Sequence, residues 1–310
     1  MHPPTIHILL ATYNGALFIA EQLESIAGQT HTAWTLTVSD DGSTDDTLSI
    51  VALFKERVSQ PVTVLQGPRF GSSTRNFFHL IQHAPADDPQ DLYAFCDQDD
   101  VWLDDKLMRA AQWHSQNYQK PSRLHCGRTL FVDTQLKVMG LSPGIERAAS
   151  FGNALVQNIA SGNSMVMSHA VLMAQKMIKP EHSVWHDWTT YIVTTAMGGL
   201  VYFDNEPCLL YRQHTRNVIG ANNGWPAQIK RLRPLFSGRF RLWTDANLAA
   251  VRDLGALSCP NAASLHYQFV AIRATPCPWD RLINWKNTSI RRQSMLSNLT
   301  LAVGLLLSLI

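Results

Sequence analysis

The sequence predicts an α/β fold: a mainly parallel central sheet flanked by helices. Through the first hundred residues, apolar runs at 6–11, 34–38, 62–65 and 92–96 alternate with stretches of helical periodicity. Strands separated by helices imply right-handed βαβ crossovers and a mainly parallel sheet. The fourth run, Leu-Tyr-Ala-Phe-Cys, is continuous in apolar and aromatic residues, as strands buried on both faces are. Asp97, Asp99 and Asp100 follow it directly. Open α/β sheets bind ligands beyond the carboxyl ends of their strands, which is where these carboxylates emerge.

Composition bounds the class. At 310 residues the chain is long enough for about two domains, or one elaborated domain. A hydrophobic share of 45% against 16% charged suits a globular protein with a sizeable core. Cys96, Cys126, Cys208, Cys259 and Cys277 are scattered and never form a Cys-x-x-Cys pair. They read as reduced thiols, not as a disulfide framework or a zinc site. The opening Met1-His2-Pro3-Pro4 lacks the basic segment and apolar run of a secretory signal. No stretch reaches the roughly 20 apolar residues that span a bilayer. The expected location is the cytoplasm.

Taken in order, the first strand at 6–11 ends in Thr12-Tyr13-Asn14-Gly15, and Leu17, Ala20, Leu23 and Ala27 then recur at helical spacing. The second strand leads into Ser39-Asp40-Asp41-Gly42-Ser43-Thr44-Asp45. Ser43, with Asp46 three positions later, has the pattern of a capping box opening a helix through Phe54. A third strand at 62–65 and a third helix at 74–83 precede the acidic strand. Asp97 and Asp99 are two apart, so on extended backbone both point to one face, about 6.6 Å apart. Mg²⁺ prefers one or two carboxylates plus substrate phosphates, which makes a metal-bridged diphosphate the natural partner. Alternatively, Asp99 or Asp100 caps a helix over 101–113. At the tip of the second strand, Asp40 and Asp41 beside Thr12 and Tyr13 suit a pyrimidine N–H or ribose hydroxyls. Ordinary turn chemistry accounts equally well for those two aspartates. No P-loop or Gly-x-Gly-x-x-Gly run is present.

Ala-Thr-Tyr-Asn-Gly at 11–15, Ser-Asp-Asp-Gly-Ser-Thr-Asp at 39–45 and Phe-Cys-Asp-Gln-Asp-Asp-Val-Trp at 95–102 resemble, in order and spacing, glycosyltransferase family 2 and its GT-A fold. The third motif looks most like that of bacterial rhamnosyltransferases of surface polysaccharide assembly. The resemblance implies a nucleotide-sugar site of Thr12, Tyr13, Asn14, Asp40, Asp41, Arg75, Asp97 and Arg212. In it Asp40 would meet the base, Asp97 the ribose or donor sugar, and Arg75 a phosphate. It also implies Mg²⁺ or Mn²⁺ on Asp99. After the strand-like Cys208-Leu209-Leu210, His214 reads as a further metal ligand or as a structural histidine, and Arg212 as a partner of the departing diphosphate.

In the middle of the chain, 124–132 reads as a strand, returned by a turn near 137–140. Ser161-Gly162-Asn163-Ser164 resembles the family's acceptor wall, with Asn163 acceptor-binding. Val-Trp-His-Asp-Trp at 184–188 is a second chemical centre. An attacking hydroxyl must lose its proton as the new bond forms, and one carboxylate can take it. By resemblance Asp187 is that base; the flanking Trp185 and Trp188 suit stacking on the acceptor sugar or desolvating the carboxylate. The alternative is a helix cap with both tryptophans in the core. The Gln-x-x-Arg-Trp motif of processive synthases is absent, which points to addition of one or a few sugars.

From 228 to 243, Lys230, Arg231, Arg233, Arg239 and Arg241 interleave with Leu and aromatic residues. Arg281, Trp285, Lys286, Arg291 and Arg292 then precede an apolar end at 299–310. Such segments suit an anionic bilayer surface or, alternatively, a solvated helix packed on the catalytic domain, while no nucleic-acid motif accompanies the charge. The expected division is a glycosyltransferase domain over 1–225, with a nucleotide-sugar half to about 105 and an acceptor half over 106–225. A helical extension over 226–310 would attach peripherally to the inner leaflet. The leading expectation is an inverting, metal-dependent transfer of L-rhamnose from a dTDP- or UDP-linked donor to a lipid-linked saccharide. Its rivals are a HAD-like phosphohydrolase with Asp97 as nucleophile, which leaves the first two motifs unexplained, and a non-catalytic nucleotide-sugar-binding membrane subunit.

Overall fold

The computed structural model describes residues 3–214 and 237–310. It divides into two compact units: 1–144, 160–176 and 200–220 form the first, and 145–159, 177–199 and 221–310 the second. This division differs from the sequence boundary at 225, because 145–159 and 177–199 pack with the late helices. Gln293 Oε1, for example, accepts the backbone N–H of Glu146 at 3.0 Å and of Arg147 at 2.8 Å.

The strands are β1 (Ile6–Thr12), β2 (Trp34–Asp40), β3 (Val62–Gln66), β4 (Leu92–Asp97), β5 (Val101–Trp102), β6 (Arg123–Val132), β7 (Val138–Leu141), β8 (Val166–Ser168) and β9 (Leu200–Arg212). The helices are α1 (Ile19–Ala27), α2 (Thr47–Arg57), α3 (Ser73–His83), α4 (Lys106–Gln116), α5 (Phe151–Ala154), α6 (His169–Gln175) and α7 (His186–Ala196). They continue with α8 (Arg239–Leu254), α9 (Pro260–Ala274), α10 (Pro278–Lys286) and α11 (Met295–Leu306).

Among the described residues all nine strands lie in the first unit, in the order β3-β2-β1-β4-β8-β6-β9-β5 with β7 on β6. β1 pairs in parallel with both β2 and β4, and every one of its residues is buried. Ile8, Leu10, Leu36, Val38, Ala94 and Cys96 share one core with α1 and α4, where each large side chain contributes about 1.5–3 kcal/mol on burial. Register decides what this core positions. Thr12 is opposite Asp40, and Ala11 is opposite Asp97, so the acidic tips of β2 and β4 flank the tip of β1.

Two local expectations give way to tertiary pairing. Val101 and Trp102 do not start a helix; they form β5, antiparallel to Leu210 and Leu209 of β9. Leu103 N–H donates to the Cys208 carbonyl at 3.1 Å, and α4 begins only at Lys106. Backbone beside an open strand edge gains a ladder there, which overrides helical periodicity. The Ser43 capping box is also absent. Ser43 Oγ bonds to the Asp40 carboxylate and accepts the Asn14 N–H instead, while Asp45 Oδ1 accepts the Thr47 N–H at 3.1 Å at the start of α2.

In the second unit much of the expected membrane-facing charge is internal. Arg281 is buried and donates to the carbonyls of Thr275 at 2.9 Å and Leu305 at 2.6 Å. Arg291 lies 4.7 Å over the ring of buried Trp285. Arg292 stacks 4.3 Å from Phe240, and burial lowers its pKa to about 10. Of the basic residues of that segment only Lys286 is exposed. Arg239 and Arg241 are exposed, whereas Lys230, Arg231 and Arg233 lie outside the described residues. No described helix is long and apolar enough to cross a membrane.

Candidate active site

At the tip of β1, Gln98 acts as a clasp. Its Oε1 accepts from Thr12 Oγ1 at 2.6 Å and from the Tyr13 N–H at 2.9 Å, and its Nε2 donates to the Tyr13 carbonyl at 3.2 Å. The clasp leaves no room for a Cβ at Gly15, where it would collide with the Gln98 carboxamide. Thr12 is thereby buried, while Tyr13 is 56% exposed above the sheet edge. Asn14 has φ 47°, a left-handed conformation that Asn tolerates. Its N–H donates to Ser43 Oγ and its Oδ1 accepts the Thr44 N–H, both at 2.8 Å.

The carboxylates after β2 are taken up by the protein itself. Asp40 Oδ2 accepts the backbone N–H groups of Gly42 at 3.0 Å and Ser43 at 2.9 Å. Asp41 accepts those of Phe70 at 2.6 Å and Gly71 at 2.8 Å, one on each oxygen. Both are buried. Asp41 so fixes the segment that leads into α3, whose first turn presents Arg75 to solvent. Arg69, itself at φ 60°, lays its side chain across Gly42.

The turn after β4 is different. Asp97 ends the strand partly exposed, but 98–99 form a turn, so the extended spacing expected between Asp97 and Asp99 does not hold. Asp99 Oδ2 meets His214 Nε2 at 2.7 Å, which brings together two expected metal ligands 115 residues apart. His214 also packs on Phe18, with ring centroids 5.1 Å apart. Asp100 is fully buried: Asn163 Nδ2 donates to one oxygen and the Arg212 N–H to the other at 3.3 Å. Burial, then the neighbouring charges of Asp99 and Asp97, hold its pKa well above the usual carboxylate range, against the pull of those two hydrogen bonds. Beneath it, Lys106 Nζ sits 3.5 Å from the Trp102 ring centroid, and burial lowers its pKa to about 8.

Two expected ligand contacts are corrected here. Arg212 is fully buried and does not reach for a diphosphate. It donates to the carbonyls of Asp99 at 3.0 Å and Thr134 at 2.7 Å, pairs with Glu21 at 2.6 Å, and stacks 4.5 Å over Phe18. Its work is to hold the Asp99–Asp100 turn in place. Asn163 likewise is no acceptor wall: it is buried between Asp100 and Ser161, whose Oγ donates to its Oδ1 at 2.6 Å.

Asp99 and His214 supply one carboxylate and one imidazole, donors that suit Mn²⁺ and leave coordination positions for diphosphate oxygens and water, as Mg²⁺ also prefers. Among the described residues no group of three or more His, Cys, Asp or Glu converges on one metal position. The donor set fits an ion completed by its substrate.

In the second unit, Asp187 lies in the first turn of α7, where the helix N-terminus favours an anion, and its Oδ1 accepts the Trp188 N–H at 2.6 Å. Trp188 is buried with its Nε1 donating to the Ala154 carbonyl at 2.7 Å, so it belongs to the core and not to a sugar-binding surface. Trp185 is partly exposed and packs against Trp188 at 5.9 Å and Trp243 at 4.9 Å. Burial of the neighbouring His186 ring pushes its pKa down to about 3.

Sequence reasoning missed Gln98 and Asp45. The turn residues around both were visible, but only the pairing of β1 with β4 and of the two loops shows what they bind.

The family model for glycosyl transferase family 2 matches residues 7–178. The chain is 30% identical over 234 residues to the dTDP-rhamnosyl transferase RfbG of Shigella flexneri, covering 72% of this chain and 78% of that protein. It is 25% identical over 232 residues to the putative teichuronic acid biosynthesis glycosyltransferase TuaG of Bacillus subtilis, covering 73% and 85%. Among solved structures, S. aureus TarS 1-349 with UDP-GlcNAc has a TM-score of 0.56 at 17% identity, covering 90% of this chain and 81% of that one. The mannosyltransferase PcManGT of Pyrobaculum calidifontis, with GDP-Man and Mn²⁺, has a TM-score of 0.53 at 17% identity, covering 100% and 86%. These likenesses establish the GT-A fold, and the phosphohydrolase reading of Asp97 loses its basis. With the family model over more than half of the chain and a 30% identical relative over most of it, the chain belongs to glycosyl transferase family 2.

Proposed function

We propose that the protein transfers L-rhamnose from dTDP-L-rhamnose to a lipid-linked saccharide in cell-surface polysaccharide biosynthesis, with inversion at the anomeric carbon, at the inner face of the cytoplasmic membrane. The sugar is suggested by the likeness to RfbG. The observation that carries the donor side is the Asp99–His214 pair at 2.7 Å, beside the tip of β1. Thr12, Tyr13, Asn14, Asp40, Asp41, Arg75 and Asp97 form the assigned donor side. Tyr13 and Arg75 are exposed and Asp97 is partly so, while Asn14, Asp40 and Asp41 bind the loops around them.

Asp99 and His214 would hold Mg²⁺ or Mn²⁺, which when bound neutralises charge developing on the diphosphate. In a single displacement the acceptor oxygen bonds to the anomeric carbon, and the bond from that carbon to the diphosphate oxygen breaks. The electron pair leaves with dTDP, and the acceptor proton passes to the Asp187 carboxylate. Trp185, partly exposed beside Asp187, is assigned to the acceptor sugar. A carboxylate base contributes about 10²–10⁴-fold.

The test is nucleoside diphosphate release by purified protein from a panel of dTDP-, UDP- and GDP-sugars, with membrane acceptor and Mg²⁺ or Mn²⁺. Release is expected with dTDP-L-rhamnose, and Asp187→Asn is expected to lower it about 10²–10⁴-fold while donor binding persists. Full activity of that variant removes the base assignment. Binding without release by the wild-type protein favours the non-catalytic subunit instead.

A further inference from the structure

We infer that α11 is an in-plane membrane anchor, whose outward face docks on an anionic phospholipid bilayer. The helix is apolar on two sides. Leu301, Gly304 and Leu305 are buried. On the opposite side Met295 is 87% exposed, Leu296 60%, Leu299 61% and Leu307 56%. At about 100° per residue, Val303 and Leu306 fall among them and Ala302 beside Met295, all three partly exposed, while Ser297, Asn298 and Thr300 fall outside that arc. No polar side chain interrupts it. Single apolar residues scatter over any surface, but a continuous stripe marks a contact. α10, which packs on α11, adds exposed Trp279 and Ile283, and tryptophan favours the boundary between lipid and water.

Charge selects the occupant. Residues 226–310 hold eleven Lys and Arg against three Asp and no Glu. Two copies meeting through this region would bring like charge together, whereas an anionic leaflet attracts it. Of these groups Arg239, Arg241, Arg252 and Lys286 are exposed, opposed by exposed Asp245 and Asp280. Twelve residues make a helix about 18 Å long, well short of the roughly 30 Å hydrocarbon core. Such a helix lies in the interface with its apolar face sunk among the acyl chains. The buried Arg281 and Arg292 hold the platform together and are not the attachment.

Flotation with vesicles tests this without reference to the transfer reaction, so either reading can fail alone. The full chain is expected to float with vesicles of phosphatidylcholine and phosphatidylglycerol, and much less with phosphatidylcholine alone. Leu296→Ser with Leu299→Ser should lower the vesicle-bound fraction about tenfold or more, at an unchanged melting temperature. Leu296→Trp with Leu299→Trp should float at least as well as the wild type, which decides the matter should the serine pair melt early. The anchor is overturned if the wild type stays unbound on the anionic vesicles, if the serine pair floats normally, or if the tryptophan pair does not float. Equal flotation on phosphatidylcholine alone removes the anionic assignment. A dimer in sedimentation that the serine pair dissolves would give the face to a second copy instead.

Discussion

After β2 the chain places Asp40 and Asp41; after β4 it places Asp97, Asp99 and Asp100. Both sets stand behind buried parallel strands, on either side of β1. In the first turn both carboxylates close on backbone N–H groups of 42, 43, 70 and 71, so their charge is spent on loop order. In the second turn the duties are divided. Asp100 is locked by Asn163 and the Arg212 N–H, and the Arg212 guanidinium holds the Asp99 carbonyl. That support leaves the Asp99 carboxylate facing His214. The same residue type at the same end of the sheet is structural or chemical according to where nearby backbone donors lie.

Three experiments break or sharpen that contrast. The largest effect is expected for Asp99→Asn, which removes the charge proposed to hold the metal and keeps the shape. Its kcat/KM should fall about 10³-fold, or about 4 kcal/mol of transition-state stabilisation. Mn²⁺ affinity in the presence of nucleotide should weaken and melting stay unchanged; normal activity would place the metal elsewhere. Asp41→Ala comes next. It strips the Phe70 and Gly71 N–H groups of their acceptor, so urea unfolding should show a loss of about 1–3 kcal/mol, with activity recovering at low temperature where the loop is still folded. A variant as stable as the wild type but inactive would move Asp41 from the structural to the chemical side of the comparison.

The smallest effect concerns acid. His114 is buried, and its Nε2 sits 3.0 Å from the Val166 carbonyl. Arg123 Nε donates to its Nδ1 at 3.2 Å, which fixes the neutral form. Burial lowers the His114 pKa to about 3, below the unfolded value of about 6.5. The unfolded chain therefore binds the extra proton first as pH falls, and stability declines between about 6.5 and 3. At pH 5 the loss from this group should be about 2 kcal/mol. Urea unfolding of the wild type and of His114→Gln at pH 7 and pH 5 checks it: the variant should lose less. An equal loss would move the acid sensitivity to other groups, the turn carboxylates among them.

How far the sequence could be read depended on range. β1, β2 and β4 were legible because continuous apolar runs report burial directly. Asp99 was legible because three carboxylates behind such a run exceed what capping needs. Arg212, Asn163 and Trp188 were assigned to ligands, and all three proved to be interior. Their residue types suit ligands and cores equally, and burial is a property of packing. Val101 and Trp102 had helical spacing, yet the edge of β9 took them. Ser43 had a capping pattern, yet a closer carboxylate took its hydroxyl.

By itself the sequence determined the strand–helix alternation, the GT-A class and the acidic tips, since each rests on local periodicity or on short motifs. The tertiary structure alone decided which carboxylates remain available, that Asp99 meets a histidine 115 positions away, and that α11 keeps an apolar face outward. Each depends on which donor or surface the fold brings within a few ångströms, and distance along the chain carries no such information.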